Sequence, residues 1–295
     1  MMGLKQVYPG RYEPEMLCRL RRDHKVTYSH CVPTILQMIL KAGEATGIDL
    51  AGWKMVIGGS ALTGALHAEA EQRGMHIAAG YGMSETCPTL TLARPRPDGP
   101  DIDGDVLTMA GVPVPLVSVA IVDDAMNPLP HDGHTKGELV VRAPWLTPCY
   151  VGSADASHAL GRGGWLHTQD IATIDAQGMV HIRDRLKDVI KTGGEWIDSI
   201  QLEQLVATAE GVAEACVVAA PDAKWGERPV AYIVPKPGAQ PTLDALNVPV
   251  EQAIALGMIT RFAKLDHFVI TDQLPRTSVG KIDKKLLRAT AETAA

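Results

Sequence analysis

Between Pro14 and Ala79 the hydrophobic positions switch repeatedly between a helical and an extended rhythm. Met16, Leu17 and Leu20 share one side of a predicted helix over Pro14–Asp23. Pro33–Ala42 reads as a second helix, opened by a proline in its first turn where the missing N–H has no partner to lose. Gly64–Arg73 is a third, and the short apolar strands Val26–Cys31, Trp53–Ile57 and Met75–Ala79 lie between them. Such alternation predicts a parallel sheet covered by helices, with ligands beyond the carboxyl ends of its strands. Two loops fall there: Gly58-Gly59-Ser60-Ala61 and Gly80-Tyr81-Gly82-Met83-Ser84-Glu85-Thr86.

From Gly104 to Asp184 the pattern changes to short alternating strands. Val117–Val122 and Glu138–Arg142 flank the polar loop Asp123–Lys136, and Thr173–Asp175 and Val180–Ile182 flank a hairpin turn at Ala176-Gln177-Gly178. A small antiparallel sheet or barrel is predicted, joined to the first part by the proline-rich run Arg94–Pro100. Further on, Val217–Ala220 and Val230–Val234 read as strands around the polar loop Pro221–Arg228. Val250–Ala255 reads as a helix, Phe268–Thr271 as a strand and Lys284–Ala291 as a terminal helix, with Pro235–Pro241 a surface loop. That is a compact α+β pattern.

Asp184–Glu203 joins the two parts. The apolar strand Met179–Ile182 runs into charges at Asp184, Arg185, Lys187 and Asp188, then into Val189-Ile190 and the pair Gly193-Gly194, where a tight turn is expected. Asp198 with Gln201 three residues on reads as a capping box, and Leu202, Leu205, Val206 and Ala209 form one apolar helical face. Read alone, the stretch equally fits a hairpin followed by a surface helix.

A chain of 295 residues predicts two domains, and 46% hydrophobic with 21% charged residues is ordinary for a globular protein. The net charge of −6, with no long basic block, argues against a nucleic-acid partner. Five scattered cysteines without a C-x-x-C pair predict reduced thiols and a cytoplasmic location rather than a zinc site. No apolar run reaches membrane-spanning length, so no transmembrane segment is expected.

Several separate motifs carry chemistry. Tyr81-Gly82-Met83-Ser84-Glu85 resembles the Tyr-Gly-x-(Ser/Thr)-Glu motif of the adenylate-forming acyl-CoA synthetases, and the opening Gly3–Tyr12 together with His30–Leu40 looks most like their medium- and long-chain fatty-acid–CoA ligases. Trp165-Leu166-His167-Thr168-Gln169-Asp170 is similar to that family's Trp-x-x-Thr-Gly-Asp, with Gln169 in place of the glycine. Leu274–Ile282 resembles its Pro-x-(Thr/Ser)-x-x-Gly-Lys. The order Tyr81, Asp170, Arg185, Gly193-Gly194, Lys281 is the family's order.

The resemblance implies an α/β fold: a remnant of the large N-terminal domain, residues 1–186, comprising a parallel α/β sheet over 1–100 and a small β-barrel over 101–186. A small, mobile α+β C-terminal domain, 187–295, follows. It implies an ATP-dependent acid–thiol ligase. The acid's carboxylate attacks the α-phosphorus of ATP to give acyl-AMP and pyrophosphate, and the thiol of coenzyme A then displaces AMP. In the implied nucleotide site Gly58, Gly59 and Ser60 let the backbone pass the adenine, Tyr81 stacks on it, and Gly82 leaves room for the base. Ser84 bonds a phosphate and Glu85 is a ligand for Mg²⁺. Asp170 accepts from the ribose hydroxyls, and Arg185 stands against the ribose with its fork of donors. Lys281 is the catalytic lysine at the α-phosphate, Lys187 the hinge, and Gly193, Gly194 and Glu195 belong to the loop that admits coenzyme A. No role is implied for His167, or for a metal at His131 and His134.

One family motif is missing. Residues 1–80 hold nothing like the Ser/Thr/Gly-rich phosphate loop ending in Pro-Lys-Gly that grips the β- and γ-phosphates. The expectation is a C-terminal part of a longer enzyme, truncated or split from an upstream partner chain, inactive alone and exposing apolar surface on its first strands. Two other readings stay open: an adenylation domain that loads a carrier protein, and a non-catalytic fragment that binds a nucleotide or a partner.

Overall fold

A computed structural model of the chain describes residues 3–93, 104–277 and 282–294. The predicted connector Arg94–Pro100 lies outside the described residues. The chain forms two compact units. One runs up to Thr168 and takes Ala172–Ile182; the other takes Gln169–Ile171 and everything from Arg183 onward.

The first unit opens with α1 (Pro14–His24), β1 (Tyr28–Cys31), α2 (Pro33–Thr46), β2 (Lys54–Ile57), α3 (Gly64–Gln72) and β3 (His76–Gly82). β1, β2 and β3 pair in parallel, as the alternation predicts. Leu36, Ile39 and Leu40 from α2 pack with Met55, Ile57 and Ile77 of the sheet in one buried core. The sheet is not parallel throughout. β4 (Thr89–Leu92) and β5 (Val112–Pro113) add two antiparallel strands, giving the order β1-β2-β3-β4-β5. Because β4 pairs with the end of β3, Tyr81 and Gly82 lie in the strand rather than in a loop beyond it. At the other edge, β1 leaves Tyr28 exposed, and Val32 and Met38 just after it are exposed as well.

α4 (Gly104–Thr108) precedes a second sheet in the order β6 (Ser118–Val122), β7 (Gly137–Arg142), β8 (Leu166–Ile174), β9 (Val180–Arg185), with α5 (Ala154–Leu160) before β8. Among the described residues it is a four-stranded path rather than a ring of strands. Leu90, Ile121, Leu139, Val141, Ala172 and Ile174 form its core, and Tyr81 and Met83 pack against that core. The expected hairpin closes on Asp175, whose carboxylate accepts from the backbone of Gln177 and Met179.

In the second unit β10 (Ile190–Thr192) and β11 (Glu195–Ile197) are followed by α6 (Ser199–Ala207), β12 (Val212–Asp222), β13 (Gly226–Pro235), α7 (Leu243–Ala255), β14 (Phe268–Ile270) and α8 (Lys284–Ala294). Side chains of a strand alternate between faces, and here both faces are covered. Val217, Ala231 and Ile233 face Leu202 and Val206 of α6 and Leu246 and Val250 of α7. Cys216, Val218, Val230 and Tyr232 face Leu287 and Ala291 of α8. The predicted loop Pro221–Arg228 is mostly strand, because Pro221↔Glu227 and Asp222↔Gly226 continue the pairing up to a tight turn. α7 starts at Leu243, earlier than Val250; Pro249 sits inside it and hides the helical pattern upstream.

The capping box at Asp198 and Gln201 does not form. Asp198 occupies the N-cap but makes no side-chain cap bond. The Ser199 N–H at the start of α6 donates instead to Asp184 Oδ2, 2.6 Å away and fifteen residues earlier in the chain. A carboxylate at a helix N-terminus satisfies an orphan donor and complements the helix dipole.

Candidate active site

In the first unit, β2 and β3 are neighbours, so the two glycine-bearing segments at their ends meet. A side chain at Gly58 would lie 3.0 Å from Gly80 O, and Gly59 holds φ +80°. At Gly82 a Cβ would stand 1.6 Å from Pro88 O, so the glycine is demanded by the close approach of β3 to the chain entering β4. The room it makes is for backbone, where the resemblance implied room for a base. Ser84–Thr86 form a single helical turn between these strands. Buried Thr86 ties that turn with its hydroxyl, which is 3.0 Å from Met83 N and 2.7 Å from Pro88 O. The turn leaves Ser84 exposed and Glu85 half-buried.

Glu85 is held from a distant segment. Its Oε1 accepts from Tyr150 Oη at 2.7 Å, and its backbone oxygen accepts from Thr147 N at 2.9 Å. Trp145 Nε1 donates to Thr86 O at 3.0 Å. The hydrogen bond to Glu85 pushes the Tyr150 phenol up, so it stays a donor through the neutral range. None of these three residues was singled out in the sequence; a tryptophan and a tyrosine close together in a Pro-containing stretch are the signal that was there. Among the described residues no cluster of three His, Cys, Asp or Glu side chains could hold a metal ion. A single positioned carboxylate nevertheless fits Mg²⁺, which is commonly bound through one or two carboxylates with waters and substrate phosphates filling the rest.

In the second unit Asp170 and Arg185 are brought together: Arg185 Nε lies 2.8 Å from Asp170 Oδ1. Strand pairing places them there, since Leu186 N donates to Gln169 O at 2.9 Å. Gln169 takes φ +61°, the left-handed conformation that a glycine would adopt without strain. The motif's glycine geometry is therefore kept although the glycine is not, within β8 rather than at a separate turn. His167 is buried with both ring nitrogens engaged, Nδ1 2.8 Å from Glu138 Oε2 and Nε2 3.2 Å from Arg162 O.

Lys187 is exposed in the turn after β9. Gly193 and Gly194 form the two-residue turn of the β10–β11 hairpin, with Thr192 opposite Glu195. Both have positive φ, +56° and +86°, the combination that a type I′ hairpin turn requires. Gly193 is wedged against Trp225, whose carbonyl accepts its N–H at 2.9 Å; nothing lies within 4 Å of a Cβ at Gly194. Glu195 is exposed. Cations lie over aromatic rings around this loop: Lys191 over Trp196, Lys224 over Trp225 and Arg261 over Phe262.

Lys281 lies outside the described residues, as do Ser278–Gly280. The chain on either side of them is fixed. Arg276 and Ile282 form an antiparallel bridge, and Asp283 N donates to Pro275 O at 2.8 Å. Lys284 then enters a buried polar cluster, 2.6 Å from Ser199 Oγ and 2.8 Å from Glu203 Oε1, with Asp184 nearby. Arg288 pairs with Asp188. The helix after the lysine motif thus holds residues on both sides of Lys187.

Parallel α/β and antiparallel β layers, followed by an α+β unit that begins at a charged joint, define the architecture of an adenylate-forming enzyme. The chain belongs to the AMP-binding enzyme family: the family model matches residues 1–151, and that of the AMP-binding enzyme C-terminal domain matches 201–281. It is 38% identical over 295 residues to a long-chain fatty-acid–CoA ligase of Thermus thermophilus, covering 98% of this chain and 54% of that protein. To a 3-methylmercaptopropionyl-CoA ligase of Ruegeria lacuscaerulensis it is 36% identical, covering 98% and 53%. The solved structure of the amide bond synthetase McbA from Marinactinospora thermotolerans superposes with a TM-score of 0.79 at 26% identity, covering 94% of this chain and 55% of that one. The chain thus spans about half the length of the curated relatives it matches. Among the described residues no helix is long and apolar enough to cross a membrane.

Proposed function

We propose that this chain supplies the later part of an AMP-forming ligase that activates a medium- or long-chain fatty acid through acyl-AMP to its coenzyme A thioester. The observation that carries this is the pairing of Arg185 with Asp170, two residues that the ribose reading requires to be neighbours. Asp170 accepts from the ribose hydroxyls while Arg185 holds its carboxylate in place. Tyr81 covers the adenine, with Gly58, Gly59, Ser60 and Gly82 in the surrounding backbone, and Ser84 bonds phosphate. Glu85 contributes one carboxylate oxygen to Mg²⁺. When bound, that ion neutralises developing charge on the phosphates. Lys281 stands at the α-phosphate during adenylation, and the unit beyond Lys187 then turns to exchange it for the Gly193-Gly194-Glu195 loop. The positive φ of both glycines and the cations Lys191, Lys224 and Arg261 around them suit a slender pantetheine arm attached to an anionic nucleotide.

A segment upstream, in the same chain or in a partner chain, supplies the phosphate loop; the doubled length of the relatives and the exposed Tyr28, Val32 and Met38 support this. The five free thiols suit a cytoplasmic enzyme. Names among the relatives favour a fatty acid over other acids, while the thioether acid of the Ruegeria enzyme makes chain length the quantity to measure. The test is pyrophosphate release against acids of graded chain length, with the chain joined to a phosphate-loop segment. Release that rises with chain length supports the reading, and release indifferent to any acid contradicts it. A chain that binds AMP yet never releases pyrophosphate with that segment supplied would be a nucleotide-binding fragment instead.

A further inference from the structure

We infer that Tyr150 is a positioning residue for Glu85, setting which carboxylate oxygen faces the metal. The inference rests on the reading of Glu85 as the Mg²⁺ carboxylate given above.

Tyr150 is too exposed, at 37%, to serve mainly as core packing. Its ring is nevertheless not left to wander. The Ser157 hydroxyl accepts from the Tyr150 N–H at 2.9 Å and donates to Ser153 O at 2.6 Å, with the Tyr150 carbonyl 3.2 Å away, which ties the Tyr150 backbone to the first turn of α5. α5 therefore fixes the backbone from which the phenol reaches Glu85, 65 residues earlier in the chain. The Thr147 and Trp145 bonds hold the backbone of the same turn, so only the Glu85 side chain remains to be set.

A carboxylate on a turn has freely rotating χ angles, and binding a metal would cost the entropy of fixing them. The 2.7 Å bond from a neutral phenol fixes them in advance. It occupies Oε1, and among the described residues Oε2 has no partner, so one oxygen is left for a cation. The phenol also adds no charge, so the carboxylate keeps its full attraction for a divalent ion. Residues that orient metal ligands commonly contribute ten-fold or more to metal affinity.

The experiment, on the chain joined to a phosphate-loop segment, measures Mn²⁺ binding in the presence of ATP by the loss of the free-ion electron paramagnetic resonance signal, alongside ATP binding in chelator and the metal-free melting midpoint. Tyr150→Phe is expected to weaken Mn²⁺ binding about 10-fold, with metal-free ATP binding and melting midpoint unchanged. Ser157→Ala, which frees the tyrosine backbone, is expected to weaken it in the same direction by less. Glu85→Gln sets the floor. Wild-type Mn²⁺ affinity in Tyr150→Phe would overturn the inference and leave the adenylating function standing. A metal-free midpoint that falls together with Mn²⁺ affinity would assign Tyr150 to packing and overturn it equally. No ATP-dependent Mn²⁺ binding by the wild type would overturn the reading of Glu85 itself, and this inference with it.

Discussion

Arg185 lies against Asp170 with its Nε 2.8 Å from Oδ1, joining a half-exposed guanidinium to a carboxylate that is almost wholly buried. The exposure decides what the pair is for. The guanidinium stays in water and gives up little hydration, so the pair acts on the buried carboxylate, which it orients and would leave with one partner fewer if removed. Arg185→Ala should lower the unfolding free energy by about 1–3 kcal/mol while AMP affinity falls. Asp170→Ala should remove AMP binding more severely, since hydrogen bonds to charged groups contribute about 1.5–3 kcal/mol each. Denaturation curves and calorimetric AMP titrations of both variants check this. A large stability loss with unchanged AMP affinity would make the pair structural.

Beside it, Gln169 holds φ +61° in a strand. A left-handed conformation costs a non-glycine residue about 1–2 kcal/mol, against about 0.5–1 kcal/mol of backbone entropy for glycine. Gln169→Gly should therefore stabilise the protein slightly, by about 0.5 kcal/mol, read as a small rise in melting midpoint. A fall would mean that the glutamine side chain makes contacts worth more than the strain.

How much of this was legible in the sequence divides by distance along the chain. The helical faces and the parallel strands follow local rules, the order of Tyr81, Asp170 and Arg185 was legible only through the family resemblance, and the apolar face of α6 lies in the core as its spacing requires. Asp198 reads as a cap by every local criterion, yet the bond comes from Asp184, and only tertiary packing decides between them. Gly82 is a glycine because Pro88 O lies behind it, a consequence of β4 pairing that no spacing announces. Tyr150 reaches Glu85 across 65 residues, a relationship with no periodicity to betray it.

The cluster around Lys284 makes a prediction about stability. Its ammonium is mostly buried, as is Glu203, and Asp184 is 1% exposed. Removing the ammonium leaves Glu203 and Asp184 buried with backbone hydrogen bonds but without their countercharge, so Lys284→Met should cost about 3 kcal/mol. Burial alone would lower the Lys284 pKa, but Glu203 and Asp184 outweigh it and push it above the ordinary 10.5. Its contribution is complete below 10.5 and is lost as pH rises through the higher folded value. The stability gap between wild type and Lys284→Met should therefore hold constant at neutral pH and narrow in strong alkali. A gap independent of pH up to alkaline unfolding would contradict the charge assignment.

Gly193 and Gly194 separate strain from crowding. Alanine at either should cost about 1–2 kcal/mol for its left-handed backbone. At Gly193 the new methyl would also stand 3.1 Å from Trp225 Cε3 and 3.4 Å from Phe262 Cε1, whereas at Gly194 it would meet nothing within 4 Å. Gly193→Ala should be the less stable of the two in parallel melts. On the proposed reading, which offers the open side of the loop to the thiol, thioester formation from supplied acyl-AMP should fall in Gly194→Ala as well. Unimpaired thioester formation in Gly194→Ala would remove the loop from the second half-reaction.

The division of labour across the joint is tested most directly by Lys281→Ala, assayed in the two half-reactions separately with the phosphate-loop segment supplied. Acid-dependent pyrophosphate release should be abolished, while conversion of supplied acyl-AMP and coenzyme A to thioester should proceed at the wild-type rate. Equal loss of both would contradict the account, because a lysine needed throughout cannot be one that leaves when the second unit turns.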